Sequence, residues 1–213
     1  MWAVIPVKQI SQAKQRLSSL LSSEERRDFF SAMLEDVLSM MVKIDFFEKI
    51  ILATNCPHGI SIAKRHGVDH FETEPDNGLN QAAYETANHL IKNGIRHMFL
   101  IPADIPLITE GEIDSVLKAH PPAPSLTIIP SFDKLGSNCL LISPPLEMPM
   151  KFGPDSYYHH QEIALKRGLK VNSMKLPGFG LDIDEPKDLF ELLKTKGNTR
   201  SQKYLRQLNL VKN

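Results

Sequence analysis

The residues whose types and spacing suit chemistry are carboxylates at two separated places and cations at a third. Asp104 lies within Met98 to Ile108, MFLIPADIPLI, fenced by Pro102 and Pro106. The apolar residues Met98 to Ile101 fit a central strand buried on both faces, and the prolines end its ladder because they cannot donate a backbone hydrogen bond. Asp104 is thereby set just past the carboxyl end of a strand, the edge where open α/β sheets bind ligands. A carboxylate there suits a cation; the competing reading is a turn, or a cap for the helix expected from about Thr109. A second acidic pair, Asp182 and Asp184, lies in LDID before Pro186. Residues two apart on an extended chain point to one side, so these two ends could share one metal ion, although one of the pair could instead cap the helix at Pro186.

The cations are Lys8, Lys14 and Arg16, in the loop KQISQAKQR that follows a first strand expected over Trp2 to Val7. Such a loop can wrap phosphates, lysine acting as a point charge and arginine as a bidentate fork, or it can be a solvated surface loop. Neither a Walker A pattern nor a GxGxxG fingerprint is present to favour the phosphate reading. The turn-rich stretch Glu74 to Asn80, EPDNGLN, precedes an amphipathic helix expected from Gln81 to Lys92. Gly78 permits close approach of backbone to a ligand; Asn80 either caps the helix or reads a flat base with its amide. Further on, Gly153 and Ser156 precede a helix from about Tyr157 to Arg167, whose unpaired first amides would form an anion seat, with Ser156 as a plain N-cap in the competing reading. His159 and His160 have no ligand spacing and are expected to be surface or packing residues; His66 and His70 are separated by Gly67 and carry no metal role.

Strands alternating with helices must position these groups. The chain of 213 residues is long enough for one α/β domain, and its 42% hydrophobic content supports a real core. Twenty-five cations balance 25 anions, so no bulk attraction to nucleic acid or to an anionic membrane is expected. No apolar run approaches the roughly 18 residues of a membrane span, and a cytosolic protein is expected. Cys56 and Cys139 lack paired spacing and are expected as free buried thiols. Ser22 and Glu25 form a capping-box pattern ahead of a helix to about Val42, whose Phe29, Phe30, Met33, Leu34, Val37, Leu38 and Met41 make an ordinary core stripe. Strands are also expected over Lys49 to Thr54, Val68 to Thr73, Leu126 to Pro130, Cys139 to Ile142 and Lys170 to Leu176. The organisation expected is a body over residues 1–196 and a tail, 197–213, packed on the body or on a partner subunit.

An ordered set of motifs adds to this reading. Pro6-Val7-Lys8, Lys14-x-Arg16-Leu17, Ala103-Asp104-Ile105-Pro106, Gly136-Ser137-Asn138, Phe152-Gly153-x-x-Ser156 and Leu181-Asp182-Ile183-Asp184-x-Pro186-x-Asp188-Leu189 resemble the CofC family, the 2-phospho-L-lactate guanylyltransferases of methanogenic archaea. The resemblance covers all but about the last fifteen residues. It departs where family members commonly carry Gly-Thr-Asn; Ser137 keeps the hydroxyl and loses a methyl. The resemblance implies a three-layer α/β/α, Rossmann-like fold of the GT-A type with a mostly parallel sheet. It further implies transfer of GMP from GTP to 2-phospho-L-lactate or phosphoenolpyruvate, with release of pyrophosphate, in coenzyme F420 biosynthesis. Ser137, Gly153 and Ser156 would then seat the acceptor. Pro6, Lys14, Arg16, Gly78 and Asn80 would bind the nucleotide, and Lys8, Lys14, Arg16 and Asp104 would serve catalysis. Asp104, Asp182 and Asp184, as hard oxygen ligands, would hold Mg²⁺. A homodimer is a further expectation. The open alternatives are a related transferase using another nucleotide or a sugar-phosphate or molybdopterin acceptor, and a non-catalytic nucleotide-binding subunit.

Overall fold

The computed structural model describes residues 1–10, 13–74, 78–208 and 210. Residues 11–12 and 75–77, which belong to the stretches KQISQAKQR and EPDNGLN considered above, therefore lie outside the described residues. The elements are β1 (Trp2–Pro6), α1 (Ser23–Met41), β2 (Lys49–Ala53), α2 (Pro57–Arg65), β3 (Asp69–Phe71), α3 (Gly78–Lys92), β4 (Met98–Leu100), α4 (Glu110–Ala119), β5 (Ser125–Pro130), β6 (Ser137–Ser143), α5 (Ser156–Lys166), β7 (Lys170–Ser173), the single turn α6 (Pro177–Gly180), α7 (Pro186–Lys194) and α8 (Arg200–Gln207). No helix among the described residues is long and apolar enough to cross a membrane.

The sheet runs β3-β2-β1-β4-β6-β5-β7. Neighbours pair in parallel except at β6, which is antiparallel to both β4 and β5. This is the mostly parallel α/β/α architecture expected, with one reversed strand. The reversal follows from the short connection Ser131 to Gly136, since a tight turn can join only antiparallel strands. From β1 the chain moves outward to β2 and β3, then crosses back to place β4 on the other side of β1. The carboxyl ends of β1 and β4 thus flank a topological switch point, which is where such sheets open a crevice.

Side chains alternate across the sheet. Ala3 and Ile5 join one core layer with Phe29, Met33, Leu34, Val37 and Leu38 of α1, while Trp2 and Val4 join the other with Ala83, Ala87 and Leu90 of α3. Each such buried Leu, Met or Phe stabilises the fold by about 1.5–3 kcal/mol of transfer free energy. The Ser22 capping box closes in both directions, Glu25 N donating to Ser22 Oγ at 3.3 Å and Ser22 N to Glu25 Oε2 at 2.7 Å. Cys56 and Cys139 are free and buried. In the tail, α8 lies on α1: Asp36 accepts from the Arg200 and Ser201 amides at 2.7 and 2.9 Å, and Leu205 is fully buried.

Two boundaries differ from expectation in ways that matter for the site. Helix α3 begins at Gly78, not Gln81, because Gly78 adopts φ 75° and makes the turn itself. At α7 the N-cap is Glu185, and Asp188 Oδ2 accepts the amides of Asp184 and Glu185 at 3.0 and 2.7 Å, so neither Asp182 nor Asp184 is used as a cap.

Candidate active site

A cleft of about 1040 Å³ opens at the switch point, bounded by Pro6, Lys8, Lys14, Arg16, Gly78, Asp104, Ser137, Gly153, Ser156, Asp182 and Asp184 among others. Of the candidate catalytic, binding and metal-ligating residues named from the sequence, Asn80 alone does not line it. It is a residue of α3, and both ends of its amide are taken by the backbone of Phe152, Nδ2 donating to the carbonyl at 3.2 Å and Oδ1 accepting from the amide at 2.6 Å. The helix-cap expectation fails, because the helix starts two residues earlier, and the amide braces one wall of the cleft against another.

The acidic floor is built from two strand ends. Asp104 lies four residues past the end of β4; its carbonyl accepts from the Ile183 amide at 3.1 Å, which ties the LDID segment to the β4 end. Lys14 reaches between the two: its side chain is only 6% exposed, and its ammonium donates to Asp104 Oδ2 and, at 2.6 Å, to Asp184 Oδ1. Burial opposes the Lys14 charge, but the two carboxylates together outweigh it and its pKa is raised. Lys14 is held there from a left-handed backbone, φ 56° and ψ 43°, a conformation that an L-residue adopts at a cost. Asp182 is held separately, its Oδ1 accepting from Asn138 Nδ2 at 3.0 Å. Burial, and then the charge of Asp104, push its pKa from 3.8 up to about 6. As the side chains stand, the three carboxylates are not drawn into one coordination shell; among the described residues no trio of His, Cys, Asp and Glu is. The physical reason is the Lys14 ammonium, which occupies the space between Asp104 and Asp184.

The donor set nonetheless fits a hard divalent cation. Asp104 Oδ1 is buried without any hydrogen-bond partner, an orphaned acceptor of the sort that is costly unless something binds it. All three candidate donors are carboxylate oxygens, the ligand type that magnesium takes. The other cations stand further out: Lys8 is exposed, and Arg16, 73% exposed, makes only a loose 3.9 Å contact with Glu185. They are free to turn toward a ligand in the cleft.

The opposite wall is the start of β6 and of α5. Continuing the β4–β6 register (Met98 with Ile142, Leu100 with Leu140) sets Asn138 level with Pro102, so the reversed strand brings its first residues to the edge where Asp104 lies. Ser137 and Ser156 meet there, Ser156 Oγ donating to Ser137 Oγ at 3.2 Å. Ser156 is not the N-cap; Asp155 holds that position with φ 55°. Nor are the first amides bare: Ser156 N donates to Gly153 O, and Tyr157 N to Leu135 O, both at 3.2 Å. What this wall offers a ligand is therefore hydroxyl groups more than the helix-terminal amides. Gly153, with φ 131°, makes the turn that delivers Ser156.

Sequence reasoning missed two contributors. Asn138 was visible within its motif, but its tie to Asp182 spans 44 residues. His160, expected like His159 to be a surface or packing residue, is fully buried and does more than pack, with Nδ1 at 2.9 Å from Ser137 Oγ and Nε2 accepting from the Lys151 amide at 2.9 Å. Its spacing of four from Ser156, which puts both on one face of α5, was the available signal.

The family described as "Guanylyl transferase CofC like" matches residues 1–212, so the terminal segment, expected to fall outside the resemblance, belongs to it. A 3-phospho-D-glycerate guanylyltransferase of Colwellia psychrerythraea is 36% identical over 89% of each chain. A phosphoenolpyruvate guanylyltransferase of Sphaerobacter thermophilus is 32% identical over 89% of this chain and 91% of its own. A 2-phospho-L-lactate guanylyltransferase of Methanobrevibacter smithii is 29% identical over 98% and 91%. Among solved structures, a nucleotidyl transferase of Methanothermobacter thermautotrophicus superposes with a TM-score of 0.64, covering 97% of this chain and 98% of its own at 12% identity, a likeness of fold alone. With the family matched along nearly its whole length, the chain belongs to the CofC-like guanylyl transferases.

Proposed function

We propose that the cleft transfers GMP from GTP to a phosphorylated three-carbon acid, of the kind that the relatives' names specify, releasing pyrophosphate and supplying coenzyme F420 assembly. The observation that carries this reading is the pairing, in one cleft, of a Lys14–carboxylate floor with a hydroxyl-lined wall across from it. An oxygen of the acceptor's phosphate attacks the α-phosphorus of GTP. A new P–O bond forms, the α–β anhydride bond breaks, and its electron pair leaves on pyrophosphate. The acceptor is already an anion, so no strong base is required, and positioning and charge neutralisation carry the reaction.

Lys14, with Lys8 and Arg16, neutralises the triphosphate and its departing charge. Asp104, Asp184 and Asp182 would hold the divalent cation on which nucleotidyl transfer generally depends, Mg²⁺ in this reading, which when bound supplies charge neutralisation at the phosphates. Ser137, Gly153 and Ser156 form the acceptor seat, and Gly78 lies on the nucleotide side. A cytoplasmic enzyme, acting as a homodimer, completes the proposal.

The test is pyrophosphate release with Mg²⁺, crossing the four nucleoside triphosphates with 2-phospho-L-lactate, phosphoenolpyruvate and 3-phospho-D-glycerate. Release confined to GTP with one of these acids is expected. Turnover with another nucleotide in place of GTP overturns the guanylyl reading, and silence with bound GTP overturns the acceptor class.

A further inference from the structure

The buried imidazole behind the hydroxyl wall is not used in the reaction just described, yet its hydrogen bonds are fully determined. The Lys151 amide can only donate, so His160 Nε2, 2.9 Å away, carries no proton. In the neutral ring the proton must then sit on Nδ1, which donates to Ser137 Oγ at 2.9 Å. Ser156 Oγ donates to the same oxygen at 3.2 Å. A serine oxygen has two lone pairs, and these two donors fill them. The Ser137 hydrogen is left free of both contacts, on a residue that lines the cleft, in an O–H bond that both donors polarise.

We infer that His160 is a positioning residue that makes Ser137 an obligate hydrogen-bond donor toward an anionic oxygen of the acceptor; the inference rests on the reading of Ser137 as part of the acceptor seat. A serine free to rotate can present either its hydrogen or its lone pairs, and lone pairs would repel a carboxylate or phosphate. Here the choice is removed before the ligand arrives, which is preorganisation of a donor. Three features hold the ring in place: His160 is fully buried, the Phe152 ring meets it edge-on at 5.0 Å between centroids, and Asn80 clamps the Phe152 backbone. Burial also pushes its pKa down to about 4, so the neutral ring that the arrangement needs is the form present at neutral pH. Ser137 and Ser156 are themselves buried, at 9% and 2% exposure, so the donor acts where water competes weakly.

The test is a kinetic cycle with Ser137→Ala, His160→Leu and the double variant, each checked for native melting, with His160→Asn as the conservative rescue. His160→Leu is expected to raise the acceptor KM by about tenfold, the size of one lost hydrogen bond to a charged group, and to leave the KM for GTP within twofold. His160→Asn, whose amide keeps a donor near the place of Nδ1, should recover most of the loss. In the double variant the effect of His160→Leu should vanish, since the hydroxyl it orients is gone. Full additivity, or an equal rise in the KM for GTP, overturns the inference and leaves His160 a packing residue. If Ser137→Ala itself leaves the acceptor KM unchanged, it is the acceptor-seat reading that fails. A measurement on the wild-type protein stands beside these in case the leucine variant does not fold: ¹⁵N-histidine NMR at pH 7, with the signal assigned by its loss in His160→Asn. It should show a neutral ring protonated at Nδ1; protonation at Nε2 refutes the proposal.

Discussion

Replacing Asp182 with asparagine should stabilise the metal-free protein while weakening catalysis. The Asp182 carboxylate is raised from 3.8 to about 6 by burial first and by the Asp104 charge second. In the unfolded chain it ionises near its ordinary value, so between about pH 4 and 6 the native state binds more protons than the unfolded state. Stability therefore falls as pH rises through that window. About 2.2 pH units at about 1.4 kcal/mol each give a ceiling of roughly 3 kcal/mol at neutral pH. The carboxylate keeps part of its hydration, and a gain of about 1–2 kcal/mol on removing the charge is the working figure. For a chain of this size that is a rise in Tm of about 3–6 °C. The substitution is close to isosteric, and the carbonyl of the new amide still accepts from Asn138 Nδ2 as Asp182 Oδ1 does at 3.0 Å. Thermal unfolding with EDTA at pH 7.5 and at pH 4 measures the effect: the gain should be present at the first pH and nearly absent at the second, where the wild-type side chain is already protonated when folded. Added Mg²⁺ should stabilise the wild type more than the variant and narrow the gap, with turnover in the variant at least tenfold lower. An unchanged or lower Tm at pH 7.5, or a gain of equal size at pH 4, would refute the claim that uncompensated negative charge is gathered at this floor.

Other perturbations read the same site from different sides. Asp104→Asn removes charge rather than volume and should lower turnover about a hundredfold or more with the fold intact, seen by circular dichroism beside the pyrophosphate assay. Lys14→Met leaves Asp104 and Asp184 without their shared counter-ion; we expect a loss of about 2 kcal/mol by urea unfolding, partly restored by millimolar Mg²⁺, whereas no response to Mg²⁺ would count against a cation site. For His160, pushed down to about 4, the native state binds fewer protons than the unfolded state between pH 6.5 and 4. Its contribution is thus present above pH 6.5 and lost as pH falls, by at most about 3 kcal/mol, and His160→Asn should flatten that part of the stability curve. Gly153→Ala forces a Cβ onto φ 131° and should raise the acceptor KM more than the KM for GTP, by misplacing Ser156.

Much of this was legible because local patterns carried it. The apolar run of β4 followed by proline is enough to set Asp104 at a strand end, and the Ser22–Glu25 box is enough to start α1. What escaped depends on contacts over long separations. That Lys14 lies between Asp104 and Asp184 joins groups 90 and 170 residues apart, and no spacing rule reaches so far. Asn80 was misplaced for a local reason: Gly78 acts as the first helical residue, so the amide that would have capped a helix at Gln81 is one turn in and pointed at Phe152. The competing reading of Asp182 or Asp184 as the α7 cap is removed only by the structure, because Glu185 and Asp188 do there what serine and asparagine more often do.

In the proposed reading, the reversed strand explains why a nucleotide floor and an acceptor wall can share one cleft. Parallel strands deliver their carboxyl ends to the switch point, which supplies Lys8 and Lys14 after β1 and Asp104 after β4. A further parallel strand in the next position would deliver another carboxyl end and a long crossover. By running antiparallel, β6 delivers its amino end instead, so Ser137 and Asn138 arrive at the edge from a rigid strand rather than from a mobile loop. Each of the two then serves one side of the reaction: Asn138 steadies Asp182 on the floor, and Ser137, backed by His160, faces the acceptor seat. Adjacent residues of one strand point to opposite faces, and in the proposed reading that alternation would divide nucleotide from acceptor within the span of a single peptide unit. On this argument, a change in acceptor within the family calls for altered side chains at Ser137 and along α5. The floor that holds the triphosphate can stay as it is.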